Sequence, residues 1–361
     1  MAPLQHVVLA GGGTAGHISP ALAVADALRR RFPDVGITML GTERGLETRL
    51  VPERGYDLAL IPAVPIPRRP SLDLVRVPGR LRAAVHEVEA VLERTKADVL
   101  VGFGGYVSAP AYLAARRKHV PYVVHEANVR AGLANRLGAR FTPYVALAVP
   151  GVLPKGRYVG IPLRPAVSHL DRDASRVDAR RDFGLDPDRP TLLVSGGSQG
   201  SRRLNQATAG AVRALADAGA QVLHAVGPAN IVTVERQPDD PPYVVVPYLE
   251  HMELGYAAAD LVLCRAGANT CAELAAVGLP GVYVPLPIGN GEQRLNARPV
   301  VDAGGGVLVD DADCTPEYVA STVVSLLLDR NRLDAMGHAA AAFGRRDADE
   351  QLVDLVLEAA A

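Results

Sequence analysis

Short apolar runs alternate with helix-like amphipathic stretches along most of the chain. Residues 7–10 are the first such run, and they have the length and composition of a buried strand. Glycines follow between residues 11 and 16, and residues 21–31 then read as a helix. Pro20 falls in the first turn of that predicted helix, where proline is tolerated. The pattern therefore predicts a strand, a tight turn and a helix in that order.

The same strand-then-helix pattern recurs through both halves of the chain. Apolar runs predict further strands, some of which end in glycine loops, at 37–41, 56–62, 97–108, 122–125, 144–149, 191–201, 221–226, 243–247, 259–270 and 281–285. Residues 271–277 and 348–359 are predicted helices, the latter a packing helix. Strands that alternate with helices indicate parallel sheets covered on both faces. We therefore predict an α/β fold of two doubly wound, Rossmann-like domains that face each other across a cleft.

Residues 165–190 separate the two series. They are rich in Asp, Arg and Pro and show no sustained periodicity before about Arg176. This composition predicts a linker followed by a short helix.

Two glycine loops carry the first candidate chemistry. A strand that enters a helix through glycines gathers backbone N–H groups at the positive end of the helix dipole, which favours an anion such as phosphate by roughly 0.3–1 kcal/mol per charge. Gly11, Gly13 and Gly16 have the dinucleotide-fingerprint spacing, and the loop after residues 191–195 repeats the arrangement. His17 lies where an imidazole can reach a ligand at the first loop. The alternative is a turn that only reverses the chain.

Composition narrows the class of protein. The 361 residues are enough for two domains, and a net charge of −1 gives no reason to expect wholesale nucleic-acid binding. Three cysteines without CxxC spacing indicate reduced thiols and neither zinc nor disulfides. No apolar run reaches the ~18 residues of a membrane span, and no signal-peptide pattern opens the chain, so we expect a cytoplasmic protein.

Residues 65–82 interleave apolar side chains with arginines. The arginines are Arg68, Arg69, Arg76, Arg80 and Arg82. An ordinary solvated loop and helix start would explain this pattern. A shallow membrane-surface patch would also explain it, with arginines meeting anionic head groups.

A nicotinamide oxidoreductase is the competing reading of the first glycine loop. That class needs an acid near the end of the second strand for the ribose hydroxyls. Glu43 lies a few residues too late for this position, so the match is partial. The second glycine loop also weighs against this reading.

Seven motifs, taken in order, resemble the MurG family of two-Rossmann-domain (GT-B) glycosyltransferases. They are residues 12–17 (GGTAGH), 104–108 (GGYVS), 125–128 (HEAN), 160–164 (GIPLR), 196–200 (GGSQG), 264–267 (CRAG) with Thr270 and Glu273, and 292–293 (EQ) with Asn296. The resemblance runs nearly end to end. It implies an acceptor- and membrane-facing domain of residues 1–163 with 344–361, and a UDP-GlcNAc-binding domain of residues 164–343.

The resemblance also implies roles for individual residues. Glu273 would take the ribose hydroxyls, the backbone near Leu249 the uracil, and Ser198 and Gln199 the diphosphate. The implied donor-binding set is Thr14, Gly16, Asn128, Arg164, Ser198, Gln199, Leu249, Ala268, Thr270, Glu273 and Gln293. The implied acceptor-binding set is Gly13, Gly104, Gly105, Tyr106, Ser108 and Asn135.

The implied reaction moves GlcNAc from UDP-GlcNAc to the 4-hydroxyl of lipid I, giving lipid II with inversion during peptidoglycan synthesis. A base must take the hydroxyl proton; we expect His17, with Glu126 as the alternative. Helix N-termini and arginines can stabilise the leaving diphosphate, so we expect neither metal nor cofactor. No Asp-x-Asp pair of the metal-binding kind lies beside a glycine loop; Asp171 and Asp173 have that spacing but lie in the predicted linker.

The resemblance further implies an enzyme bound peripherally to the inner face of the cell membrane, whose partners are UDP-GlcNAc, undecaprenyl-linked lipid I and cell-wall synthesis and division proteins.

Four positions depart from the commonest family pattern: Ala15, Ala127, Ile161 and Glu292. Glu292 matters most, because an ionised carboxylate accepts hydrogen bonds but donates none. A related GT-B transferase with another lipid or natural-product acceptor, and a catalytically silent scaffold, remain alternatives.

Overall fold

The chain forms two compact units, Met1–Arg164 with Asp347–Ala361, and Pro165–Arg346. The computed structural model describes residues 4–13, 15–43, 45–64, 73–288 and 291–361, with the side chains of residues 15 and 73–75 left out. Arg164 thus ends the first unit, and residues 344–346 belong to the second.

Thirteen strands are found in the described residues: β1 (His6–Gly11), β2 (Gly36–Gly41), β3 (Asp57–Leu60), β4 (Val99–Gly104), β5 (Tyr122–Glu126), β6 (Val145–Leu147), β7 (Arg157–Tyr158), β8 (Thr191–Ser195), β9 (Gln221–Ala225), β10 (Tyr243–Val246), β11 (Leu261–Cys264), β12 (Gly281–Tyr283) and β13 (Gly306–Leu308). The first helices are α1 (Ala15–Arg31), α2 (Glu47–Glu53), α3 (Asp73–Thr95), α4 (Ser108–Arg117), α5 (Leu133–Gly138), α6 (Pro165–Ser168), α7 (Arg172–Asp182) and α8 (Arg202–Gly210). The remaining helices are α9 (Val212–Asp217), α10 (Met252–Ala258), α11 (Ala268–Val277), α12 (Glu292–Asp302), α13 (Pro316–Tyr318), the π-helical turn Val319–Val323, α14 (Val324–Leu328), α15 (Arg330–Phe343) and α16 (Ala348–Ala360).

The first unit is a seven-stranded parallel sheet in the order β3-β2-β1-β4-β5-β6-β7. Successive residues of β1 point to opposite faces. Val7 and Leu9 pack with the α1 and α16 side of the sheet, and Val8 and Ala10 with the α3 and α4 side. A strand buried on both faces reads as a continuous apolar run, which is why the sequence revealed it.

The second unit repeats this design with six parallel strands in the order β10-β9-β8-β11-β12-β13. The prediction of two doubly wound parallel sheets is confirmed. In each unit the strand order reverses beside the central strand, between β1 and β4 and between β8 and β11. Ligands of such sheets bind at the carboxyl ends of the strands at that reversal. Both glycine loops lie there.

Helix α1 begins earlier than predicted. It starts at Ala15 rather than at residue 21, so Pro20 lies inside the helix and removes one backbone hydrogen bond. The earlier start lets Ile18 pack in the core, where it is fully buried. His17 therefore lies in the first turn of α1 and not in a preceding loop.

The predicted linker is also more ordered than its composition indicated. Residues 165–190 hold α6 and α7, and α7 begins at Arg172 rather than near Arg176. Asp171 caps α7 by accepting a hydrogen bond from the Ala174 N–H at 3.1 Å. The charges in this segment make contacts with the main chain, and a search for apolar periodicity cannot detect such contacts.

Among the helices of the described residues, none combines the length and apolar character needed to cross a bilayer.

Candidate functional site

The first glycine loop is tied to a buried carboxylate that the sequence analysis missed. Gly13 adopts a left-handed backbone with φ of +90°, and its N–H donates to Glu47 Oε2 at 3.1 Å. Glu47 Oε1 accepts from the Thr42 N–H at 2.8 Å and from the Thr42 hydroxyl at 3.1 Å. The Gly13 N–H, which the sequence analysis counted among the groups gathered for an anion, is therefore bonded to Glu47 instead. Glu43, the acid considered for a ribose, is exposed.

The loop after β4 lies directly against the first glycine loop and His17. Gly104 and Gly105 both have left-handed backbones, at φ +96° and +80°. A Cβ on Gly104 would lie 3.0 Å from His17 Nε2, and one on Gly105 would lie 2.5 Å from the carbonyl oxygen of Gly12. Only glycine allows these approaches. The structure thus brings His17 together with the two loops predicted to bind the acceptor.

Tyr106 and Ser108, both predicted to contact the acceptor, have different surroundings. Tyr106 is 54% exposed and lies beside Gly13. Ser108 is fully buried, and its hydroxyl accepts from the Gly104 N–H at 2.9 Å and contacts the carbonyl oxygens of Gly104 and Ala10. We therefore expect Ser108 to shape the loop rather than to touch a ligand.

Glu126 ends β5, and its carboxylate is almost fully buried. Oε1 accepts from the backbone N–H and the side-chain amide of Asn128, at 2.9 and 3.2 Å. Oε2 accepts from the Gly132 N–H at 2.9 Å and from the Asn135 amide at 3.0 Å. A carboxylate has about four lone-pair sites, and these four donors occupy them. This arrangement favours a structural role and weighs against Glu126 as the base.

Asn135 joins three elements around the same carboxylate. Its Nδ2 also donates to the His125 carbonyl at 2.9 Å, and its Oδ1 accepts from the Tyr112 hydroxyl at 2.8 Å. Burial raises the Tyr112 pKa well above its usual range, so the hydroxyl stays a donor. Asn135 is itself buried, and its predicted contact with the acceptor stays a prediction.

His125 links the motif at 125–128 to the motif at 160–164. Its Nε2 donates to the Gly160 carbonyl at 2.9 Å, and burial lowers the His125 pKa to about 4. The ring is neutral at physiological pH. Ala127 and Ile161, two of the positions that depart from the family pattern, are also buried. Each lies within two residues of His125 or Gly160 in the sequence.

The glycine loop of the second unit follows β8 and enters α8. The Gly200 N–H donates to the Gly197 carbonyl at 2.9 Å, and Ser201 caps α8 at the Leu204 N–H. Ser198 is half-buried and Gln199 is exposed at the tip of this turn. The loop leads directly into the N-terminus of α8, where backbone N–H groups favour an anion.

A buried polar network under this loop was not predicted. Asn205 donates to the Val226 carbonyl at 3.0 Å and accepts from His224 Nε2 at 3.1 Å. His224 Nδ1 contacts the Tyr243 hydroxyl at 2.8 Å, and burial lowers the His224 pKa to about 4. Gly200 packs against the same Val226 carbonyl, so the network fixes the base of the loop.

The β11 loop and the start of α11 present the other predicted donor residues. Helix α11 begins at Ala268, three residues before the predicted start, so Ala268, Thr270 and Glu273 share its first turns. Tyr256 is fully buried and donates its hydroxyl to Glu273 Oε2 at 2.6 Å. The sequence analysis missed this orienting contact, and no local motif signals it. Leu249 is buried, close to α10.

Gln293 lies in the first turn of α12, and its Oε1 accepts from the Leu286 N–H at 2.9 Å. Glu292 precedes it in the same turn, where the helix dipole favours a carboxylate. Of the remaining predicted residues, Gly16 is exposed in the first turn of α1, Arg164 is half-buried, and Thr14 lies outside the described residues.

Each unit, taken by itself, therefore gathers its predicted residues at the carboxyl ends of neighbouring strands. The first unit brings together His17, the two glycine loops and the Glu126 cluster beside β1, β4 and β5. The second brings together the β8 loop, the α11 start and Gln293 beside β8, β11 and β12. In the described part of the chain, no group of three or more His, Cys, Asp or Glu residues could hold a metal ion.

Comparison with known proteins identifies the family whose domains this chain matches. Residues 7–147 match the glycosyltransferase family 28 N-terminal domain, and residues 191–352 match the family 28 C-terminal domain. The chain is 64% identical over 359 residues to a Streptomyces avermitilis protein, with 99% of each covered. An Acidothermus cellulolyticus protein is 64% identical over 363 residues, covering 99% of this chain and 98% of that one. Both relatives are named UDP-N-acetylglucosamine--N-acetylmuramyl-(pentapeptide) pyrophosphoryl-undecaprenol N-acetylglucosamine transferase. The crystal structure of Acinetobacter baumannii MurG matches with a TM-score of 0.77 at 28% identity, covering 98% of this chain and 99% of that one.

Proposed function

Because the chain belongs to the MurG family within glycosyltransferase family 28, we propose that it transfers GlcNAc from UDP-GlcNAc to lipid I and so forms lipid II in peptidoglycan synthesis. The observation that carries this proposal is the 64% identity to transferases of that name across both units. Two glycine loops, one in each unit, suit a reaction between two diphosphate-bearing molecules.

UDP-GlcNAc binds to the second unit in this proposal. The β8 loop presents its N–H groups to the diphosphate at the N-terminus of α8. Ser198 and Gln199 lie in the turn of this loop. Glu273 accepts hydrogen bonds from the ribose hydroxyls, and Tyr256 fixes the direction of its carboxylate. Gln293 addresses the sugar. The helix dipole and loop N–H groups stabilise the negative charge that develops on the leaving UDP.

The acceptor binds to the first unit, at the loops that follow β1 and β4. Left-handed glycines at 13, 104 and 105 keep side chains away from this surface. Tyr106 adds an exposed ring beside Gly13 that suits packing against a sugar or the peptide stem. The acceptor's diphosphate belongs near the N-terminus of α1.

His17 is the general base in this proposal. The 4-hydroxyl oxygen of the acceptor forms a bond to the anomeric carbon of GlcNAc, the bond from that carbon to the UDP oxygen breaks, and the configuration inverts. The hydroxyl proton passes to the His17 imidazole. Glu126 suits this role less well, because its four hydrogen bonds already engage both oxygens.

The test of the proposed function is transfer of radiolabelled GlcNAc from UDP-GlcNAc to a short-chain lipid I analogue with EDTA present. Diacylglycerol in parallel reactions tests the runner-up class of lipid glycosyltransferases. We expect label in the lipid I analogue only, with release of UDP. Transfer to diacylglycerol alone, or to neither lipid, would contradict the proposal.

We also propose that the first unit docks on the cytoplasmic membrane through its α4–α5 side. Leu133 is 68% exposed and Phe141 is 46% exposed, and the Arg116 guanidinium lies 4.0 Å from the centre of the Phe141 ring. Arginines next to exposed apolar groups suit an anionic lipid surface. The patch predicted at 65–82 lies partly outside the described residues; Arg76, Arg80 and Arg82 are on α3.

Co-sedimentation with vesicles of anionic phospholipid tests this docking surface. The double variant Leu133→Ser/Phe141→Ser should bind several-fold less protein than wild type. Val177→Ser is a matched control, because Val177 is 41% exposed on α7 of the other unit. Equal binding by all three proteins would rule this surface out.

A further inference from the structure

Glu47 is a buried carboxylate for which neither the family motifs nor the proposed chemistry accounts. Its side chain is fully buried at the start of α2. A charge taken out of water is costly unless hydrogen bonds compensate it. Three donors do so here: the Gly13 N–H on Oε2, and the Thr42 N–H and hydroxyl on Oε1. The carboxylate therefore bridges the end of β2 and the first glycine loop.

Three glycines make room for this bridge. A Cβ on Gly12 would lie 2.9 Å from Glu47 Oε1. Cβ atoms on Gly41 and Gly45 would collide with the Glu47 side chain and its carboxylate, respectively. Neither Gly12, Gly41 nor Gly45 has a left-handed backbone, so the space that Glu47 occupies is one reason that glycine suits these positions.

The bridge reaches the candidate acceptor surface through two further contacts. The carbonyl oxygen of Gly12 lies against Gly105, and Gly105 lies against the His17 ring. The position of residues 12–13 thus sets the position of the β4 loop and of the proposed base. Helix α2 holds that position through Glu47.

We propose that Glu47 is a positioning residue for the acceptor site, which holds the first glycine loop against the β4 loop and His17 without touching either substrate. The proposal rests on the placement of the acceptor in the first unit. A carboxylate is required because both of its oxygens accept hydrogen bonds. A glutamine has one acceptor oxygen, so in either orientation its amide NH₂ faces the N–H of Gly13 or of Thr42.

The test compares Glu47→Gln with Thr42→Val in the full-length protein. Thr42→Val removes the hydroxyl bond to Oε1 but keeps the Thr42 N–H and the Gly13 contact. Glu53→Gln, on the exposed side of the same helix, is the surface control. For each variant we would measure kcat and KM for the lipid I analogue, the calorimetric Kd for UDP-GlcNAc and the melting temperature.

Glu47→Gln should lower kcat/KM for the acceptor by about tenfold or more, the usual weight of a lost hydrogen bond to a charged group. The Kd for UDP-GlcNAc should stay unchanged, and Thr42→Val should retain acceptor kinetics even if its melting temperature falls. Gly45→Ala, which pushes a methyl group into the Glu47 carboxylate, should reproduce the selective loss if Glu47→Gln folds poorly.

Unchanged acceptor kinetics in Glu47→Gln would overturn the inference and leave the proposed function intact. The inference would also be overturned if kcat/KM for the acceptor fell in proportion to the melting temperature in both Glu47→Gln and Thr42→Val. That pattern would mean that Glu47 contributes to stability alone. A selective rise in the Kd for UDP-GlcNAc would overturn the acceptor placement. Failure of the wild-type protein to transfer would instead contradict the proposed function itself.

Discussion

A carboxylate binds a substrate through lone pairs that the protein's own donors do not occupy. Glu126 and Glu47 are buried and hydrogen-bonded by the protein's own N–H groups at both oxygens. Glu273 is half-buried, and a tyrosine hydroxyl fixes one of its oxygens. The sequence alone does not distinguish these three acids. Their different roles depend on burial and on hydrogen-bond partners, which no local motif encodes.

Replacement of Glu126 by glutamine should destabilise the protein. Glutamine keeps the shape, but its amide NH₂ would face the N–H groups that now donate to one of the two oxygens. We expect a loss of about 1–3 kcal/mol in the free energy of unfolding, measured by urea denaturation. Glu93→Gln, an exposed carboxylate paired with Lys118, should change stability little. Wild-type stability with lost turnover in Glu126→Gln would instead favour Glu126 as the base.

Acid should destabilise the protein through two buried histidines. Burial lowers the pKa of both His125 and His224 from 6.5 to about 4. The unfolded chain binds protons near pH 6.5 and the folded chain does not, so stability is complete above pH 6.5 and falls as the pH drops toward 4. At pH 4, each shift lowers the free energy of unfolding by roughly 3 kcal/mol.

Denaturant midpoints measured from pH 7.5 to 4.5 test this expectation. His224→Gln removes one titrating group and should flatten part of the pH dependence. A midpoint that stays constant over this range, or an equally steep dependence in the variant, would contradict the assignment.

At the scale of elements, eleven of the thirteen strands in the described residues were predicted, whereas the short strands β7 and β13 and the helix starts were not. A buried parallel strand such as β1 or β8 is an uninterrupted apolar run with glycines at its end. The starts of α1, α7 and α11 differ from prediction because caps and tertiary contacts set them. Helix α7 shows the reason most clearly: Asp171 caps it, and Arg172 anchors it to neighbouring carbonyls.

The Arg172 guanidinium should be a major stabilising contact of α7. It donates to the carbonyl oxygens of Tyr256, Ala259 and Gly278, at 3.1, 2.7 and 3.0 Å. Arg172→Ala leaves these acceptors without that donor, and we expect unfolding free energy to fall by about 2–4 kcal/mol. Arg181→Ala, on the exposed side of the same helix, should change it by about 0.5 kcal/mol or less. Equal urea midpoints for the two variants would contradict this role.

For the whole molecule, repetition made the architecture predictable. Two series of strands and helices, each with a glycine loop after its first strand, gave the two doubly wound sheets. Seven ordered motifs gave the family. The network of Asn205, His224 and Tyr243 could not be predicted, because its members come from α8, β9 and β10 and meet only in the folded unit. Family motifs thus identify the residues at the surface of a site more readily than the buried residues that hold the site in place.

The central claim is that the second unit binds UDP-GlcNAc and the first unit binds the acceptor. Calorimetric titration of UDP-GlcNAc tests this claim most directly. Glu273→Ala should weaken donor binding by about tenfold or more, and Tyr256→Phe should weaken it less. His17→Ala should keep wild-type donor affinity while kcat falls by about 10²–10⁴-fold, the usual contribution of a general base. Tight UDP-GlcNAc binding by Glu273→Ala, together with lost binding by His17→Ala, would place the donor in the first unit and contradict the account.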